Sequence, residues 1–203
     1  MELIVVTPPD YFSGEGALIN QFFANGLQLL HLRKPVNNTV QFKKLLSEID
    51  PLYYSKISIH QHHELATDFA LGRLHFTEQQ RKEISAGKRK EMVATGYLLS
   101  TSIHALDGLE ELDDFEYVFY GPVFNSISKE GYHTTLKAGF VLPPHSLKIF
   151  AIGGVTTGRL EALKHMGFDG AAVLGTIWYQ SVAPLITVIN MIKSINVINN
   201  VHR

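Results

Sequence analysis

The chain is expected to fold as an α/β protein, a (β/α)8 TIM barrel. Eight short β-branched and aliphatic runs recur along its 203 residues, their starts spaced by about 24 residues, the length of a βα unit with short loops. Helical patterns lie between them, which leaves a closed barrel or an open doubly wound sheet. The first run is followed by Thr7-Pro8-Pro9, not by the Gly-rich turn an open dinucleotide-binding sheet carries there. The glycines sit late instead, after the seventh and eighth runs. That distribution favours the barrel, although two hundred residues lie near its lower limit. One domain over 1–203 is expected.

Strands are predicted at Leu3–Val6, Leu29–Leu32, Ile57–Ile59, Arg73–Phe76, Tyr97–Ser100, Tyr117–Tyr120, Lys148–Ile152 and Gly170–Leu174. A helix over Gly16–Asn25 places Ala17, Leu18, Phe22 and Phe23 on one face and closes at Gly26. A second over Thr39–Ile49 carries Val40, Phe42, Leu45, Leu46 and Ile49, with Pro51 beyond it. A third over Thr156–Met166 starts at a threonine and ends before Gly167. Ser85–Glu91 is polar throughout and reads as a loop, and Pro184–Asn200 reads as the closing helix.

Composition narrows the function. Eighteen basic against nineteen acidic residues give a net charge of −1, which speaks against nucleic acid as a partner. Cysteine is absent, excluding a disulfide framework, a thiolate zinc site and a cysteine nucleophile. No apolar stretch approaches the roughly 20 residues of a membrane-spanning helix. The first residues lack the basic-then-apolar pattern of a leader peptide. No membrane partner and a cytoplasmic location are therefore expected.

Barrel active sites are built from the C-terminal ends of strands and the loops after them. The pair Gly153-Gly154 after the seventh strand and Gly175 after the eighth allow backbone N–H groups to approach an anion, and loops after these two strands commonly hold phosphate. Tight connections are the alternative reason for glycine there. His31 and Arg33 share an alternation phase at the end of the second strand, and an arginine at the mouth clamps a carboxylate or phosphate. Ser102 and His104 share a phase after the fifth, and a histidine moves protons near neutrality without a metal. The long loop after the sixth strand carries Ser126, Ser128 and Lys129, which suit a phosphorylated substrate or simply a solvated surface. His60 and His62 fall on one face of an extended segment, but no third ligand has recognisable spacing, so no metal site is expected.

Taken in order, His31-Leu32-Arg33-Lys34, Thr101-Ser102-Ile103-His104, the loop from Gly121 to Gly131, Ala151-Ile152-Gly153-Gly154 and the run ending at Gly175 resemble the thiamine phosphate synthase/TenI (thiazole tautomerase) superfamily. The resemblance spans roughly residues 1–180 and implies a phosphorylated thiazole as substrate. It implies phosphate at Gly153, Gly154 and Gly175, and substrate contacts from Arg33, Ser102, Ser126, Ser128 and Lys129. The synthase branch carries Gln-x-Arg-x-Lys at the end of its second strand, where this chain has His31, Arg33 and Pro35. At the branch's metal-binding positions it has Gln61 and Gln80, with Glu78 nearby as a possible displaced ligand. Two neutral glutamines bind Mg2+ weakly, so no cofactor is expected unless the synthase reading holds. The tautomerase branch needs neither Mg2+ nor pyrophosphate, and its catalytic histidine matches His104. The resemblance thus favours a metal-independent tautomerase, with a synthase of altered metal site or a non-catalytic thiazole or thiamine phosphate binder as alternatives.

Overall fold

The computed structural model describes residues 1–125, 134, 136–137 and 139–201. Eight parallel strands close into a barrel in sequence order. They are β1 (Glu2–Val6), β2 (Leu29–Leu32), β3 (Ile57–Ile59), β4 (Arg73–Phe76), β5 (Leu98–Ile103), β6 (Tyr117–Tyr120), β7 (Lys148–Ile152) and β8 (Gly170–Val173). The barrel closes where β1 pairs with β8, Ile4 opposite Ala172.

Alternation sorts the strand residues into two cores. Leu3, Val5, Leu30, Leu32, Ile57, Ile59, Leu74 and Leu99 point outward, beneath the helices. Ile4, Val6, Leu29, Tyr117, Phe119, Phe150 and Ala172 point inward and fill one side of the barrel. The inner core follows the usual apolar filling of this fold.

The outer ring begins with α1 (Glu15–Ala24) and α2 (Thr39–Glu48). In α1 the buried face runs through Ile19, Phe22 and Phe23, while Ala17 is exposed. In α2 it is Phe42, Leu45 and Leu46, and Val40 is solvent-facing despite its apolar side chain. The Asn38 side chain caps α2 by accepting from the Gln41 amide at 3.0 Å. Further round lie α3 (Leu65–Asp68), α4 (Glu78–Glu83) and α5 (Ala86–Ala94), then α6 (Leu160–His165), α7 (Gly175–Trp178) and α8 (Pro184–Val201).

Three expectations need correction. The segment Ser85–Glu91 is mostly helix, the start of α5, and Ser85 caps it by accepting from the Lys88 amide at 3.2 Å. No residue of α5 is buried, so it lacks the apolar stripe that betrays a helix in sequence. The fifth strand extends from Leu98 to Ile103 and not from Tyr97 to Ser100, with Ser102 opposite Phe119 and Ile103 opposite Tyr120. Its polar Thr101 and Ser102 disguised a strand as a loop. Thr156–Met166 likewise starts as a 3-10 turn and becomes α-helical only at Leu160.

Candidate active site

Arg33, Ser102, His104, Gly153, Gly154 and Gly175 all line one cavity of about 430 Å3 at the C-terminal mouth of the barrel. Ser126, Ser128 and Lys129 lie outside the described residues. Thr77, between β4 and α4, and Glu78, the first residue of α4, lie on the rim together with Thr176.

His104 follows β5 directly, so the strand's extension to Ile103 delivers it to the rim. Its Nδ1 lies 2.6 Å from the carbonyl oxygen of Gly121. A carbonyl only accepts, so Nδ1 carries the proton and donates it, leaving Nε2 as the exchangeable nitrogen. Nε2 lies 3.9 Å from the Glu78 carboxylate, and the His104 side chain is 58% exposed. A hydrogen bond from Lys82 holds the Glu78 carboxyl below its usual range, with His104 adding to the effect.

Arg33 sits one residue beyond β2 and is half-buried. Its backbone is pinned to the end of β1: the Arg33 amide donates to the Thr7 hydroxyl at 2.9 Å, and that hydroxyl donates to the Arg33 carbonyl at 3.2 Å.

The glycine turn after β7 is demanded by backbone geometry. Gly154 has φ of +64°, and a Cβ there would lie 2.3 Å from the Asn125 carbonyl oxygen. Gly153 has φ of +95°, and a Cβ there would lie 2.8 Å from Pro122. The turn after β7 therefore packs backbone to backbone against the loop after β6. Beside it, after the neighbouring strand β8, α7 begins at Gly175, and the first amides of any helix have no intrahelical partner. Phosphate sites of this fold are built from such a pair of loops and a short extra helix.

The residues that the resemblance sets at the synthase metal positions are engaged in other contacts. The Gln61 side-chain oxygen accepts from the Lys34 amide at 2.8 Å. The Gln80 side-chain oxygen accepts from the Thr77 amide at 2.8 Å and its hydroxyl at 3.0 Å, closing the capping box of α4. Glu78 is paired with Lys82 at 2.7 Å. These residues do not fit a Mg2+ site. Lys34, next to the lost lysine position, does not replace it either. Its ammonium is fully buried, 2.7 Å from Glu15, and donates to the carbonyls of Pro8 and Asp10 at 2.8 and 2.9 Å. Burial pushes the Glu15 carboxyl up and the Lys34 ammonium down, each opposed by the pairing.

The sequence reading missed a cluster below the mouth. His31, His60 and His75 meet inside the barrel, each almost wholly buried. His62 does not share a face with His60: it has φ of +56° and packs on Phe42 of α2, its Nδ1 3.2 Å from the Thr39 hydroxyl. His60 and His75 line a deeper chamber together with Arg33 and Ser102.

A family model described as thiamine monophosphate synthase, TMP-TENI, matches residues 3–177. The chain belongs to the TMP-TENI family. A thiamine-phosphate synthase of Desulfitobacterium hafniense is 26% identical over 192 residues, covering 87% of this chain and 86% of the relative. A thiamine phosphate pyrophosphorylase structure from Bacteroides thetaiotaomicron is 26% identical with a TM-score of 0.69, each chain covered over 100% of its length. One from Pyrococcus furiosus superposes with a TM-score of 0.74 over 97% of this chain and 96% of that one, at 14% identity, which speaks for the fold alone. The barrel and the place in a family of thiamine biosynthesis enzymes both agree with the sequence reading. Among the described residues of this TMP-TENI chain, no helix is long and apolar enough to cross a membrane.

Proposed function

We propose that this chain, acting as a single barrel domain, is a thiazole-phosphate tautomerase in which His104 moves a proton without Mg2+. The observation that carries the reading is the tautomer of His104: Nδ1 is committed to the Gly121 carbonyl, and Nε2 is left free among residues of the cavity. An isomerisation needs only this, because the proton taken from one position of the heterocycle is returned at another. The substrate phosphate rests against Gly153, Gly154 and Gly175, and Arg33 meets the thiazole carboxylate. Glu78 stays anionic beside Nε2 and favours the transient imidazolium. Ser102, at the floor of the same cavity, and the hydroxyl and lysine residues Ser126, Ser128 and Lys129 complete the substrate contacts.

The names of the relatives favour a second reading, thiamine phosphate synthase. That reaction expels pyrophosphate, whose charge Mg2+ would neutralise. Against it stand Gln61 and Gln80, both held by backbone amides. Two assays separate the readings. Purified protein is expected to convert the phosphorylated thiazole tautomer with a chelator present. It is expected to make no thiamine phosphate from pyrimidine pyrophosphate, thiazole phosphate and Mg2+. Mg2+-dependent thiamine phosphate formation would overturn the proposal, and binding of thiazole phosphate with no turnover in either assay would establish a binder.

A further inference from the structure

The two halves of the barrel interior differ in chemistry. Strands β6, β7, β8 and β1 fill theirs with Phe119, Phe150, Ala172, Ile4 and Val6. Beyond Leu29, strands β2 to β5 and the residue after β3 instead bury His31, Ser58, His60, His75 and Ser100, where branched aliphatic side chains are the rule for this fold. Each of the three histidines offers a ring nitrogen within 4.8 Å of the other two. The Ser58 hydroxyl, opposite His31 in the register, is buried beside the Tyr117 phenol.

We propose that His31, His60 and His75 form a binding site for a divalent transition-metal ion of the zinc class, with its open position facing the cavity. Hydrogen bonds assign the nitrogens. His31 Nε2 is held by the Tyr117 phenol at 2.6 Å, which leaves Nδ1, 2.9 Å from His60 Nε2, to face the ion. His75 Nδ1 is held by the Ser100 hydroxyl at 2.9 Å, which leaves Nε2, now 3.1 Å from the Ser102 hydroxyl. Metal-binding histidines characteristically have the other ring nitrogen fixed by a supporting group, and Tyr117 and Ser100 occupy that role. Tetrahedral coordination at about 2.0–2.1 Å spaces ligand nitrogens about 3.3 Å apart, so His31 and His60 part by about 0.4 Å while the widest pair, within 4.8 Å, closes by up to about 1.5 Å.

Imidazole nitrogens select zinc, cobalt, nickel and copper over Mg2+. His60 and His75 border the deeper chamber beside Arg33 and Ser102, which gives the ion an entry path. The cluster contains no carboxylate, so an anionic fourth ligand from the cavity would offset the ion's charge. The site uses neither Gln61 nor Gln80 as a ligand, and it does not rest on the proton transfer assigned to His104.

Chelator-treated, dialysed protein titrated with Co2+ tests the site directly. A single Co2+ per chain is expected to bind with the intense visible absorption of tetrahedral cobalt. His75→Gln is expected to abolish that absorption, and Tyr117→Phe to weaken binding by about 10- to 100-fold. His62→Gln is expected to leave both unchanged. Absence of tetrahedral absorption in folded wild-type protein would overturn the proposal, as would an unchanged spectrum and affinity in His75→Gln. If His75→Gln does not fold, unchanged affinity in Tyr117→Phe would count against the site in the same way.

Discussion

The His104 Nδ1 nitrogen and the Gly121 carbonyl oxygen stand 2.6 Å apart, a hydrogen bond from the residue after β5 to the residue after β6. It orients the imidazole and fixes its tautomer in one contact. Gly121 also adjoins Pro122, against which Gly153 of the β7 turn is packed. The proton-transfer group and the glycine turn thus share one piece of scaffold.

Glu78 is expected to support His104 through charge. Glu78→Gln keeps the shape and removes the anion 3.9 Å from Nε2. The charge that develops on the ring during proton transfer loses a nearby anion, so kcat for tautomer turnover is expected to fall several-fold while affinity for thiazole phosphate is retained. Unchanged kcat in the variant would show that Glu78 plays no electrostatic part.

Any side chain at Gly154 is expected to disturb the phosphate turn. An L-residue pays about 1–2 kcal/mol for the left-handed backbone, and its Cβ would collide with the Asn125 carbonyl oxygen, 2.3 Å away. Gly154→Val therefore displaces the turn and weakens binding of thiazole phosphate at least ~10-fold in calorimetry, a loss of about 1.4 kcal/mol or more. Unchanged affinity in a folded variant would remove the phosphate from this turn.

Breaking the buried Lys34–Glu15 pair is expected to be costly. Lys34→Met leaves the Glu15 carboxylate without its cation in a buried site, a loss of about 3–5 kcal/mol by denaturant titration. Lys34→Met combined with Glu15→Leu is expected to recover much of that loss, since neither charge then needs solvating. Failure of the double variant to recover would mean that packing, not the uncompensated charge, sets the penalty.

Stability is expected to decline as pH falls below about 6.5, the usual histidine pKa. His75 is held down to about 3, chiefly by burial, so the folded state resists a proton that the unfolded chain accepts. Its contribution is complete above the unfolded pKa and is lost progressively as pH falls toward 3. Between about pH 7.5 and about pH 5, one such histidine accounts for about 2 kcal/mol of lost stability. Metal-free His75→Gln is expected to lose that much less over the same interval. Equal losses in wild type and variant would show that His75 is not held neutral.

How much of this was legible in sequence depended on where each residue's partners lie. Seven strands fell within a residue of their positions because one side of each packs beneath helices as an aliphatic run. The fifth strand was cut short because Thr101 and Ser102 carry none of that apolar signal. The helix α5 was hidden for a related reason, having no buried face. Arg33, Ser102, His104 and the three glycines were legible because each stands at a strand end. The histidine cluster was not. His75 shares its alternation phase with neither Leu74 nor Phe76, which marks it as inward-facing. Its meeting with His31 and His60, however, depends on the registers of β2, β3 and β4, and these exist only once the barrel closes.

The proton-transfer role of His104 is tested most directly by His104→Ala, measured for both turnover and binding. Turnover of the phosphorylated thiazole tautomer in the presence of chelator should fall by about 100- to 10,000-fold. Affinity for thiazole phosphate should be retained, because the phosphate is held by the turns at Gly153, Gly154 and Gly175. Full turnover in the alanine variant would contradict the account.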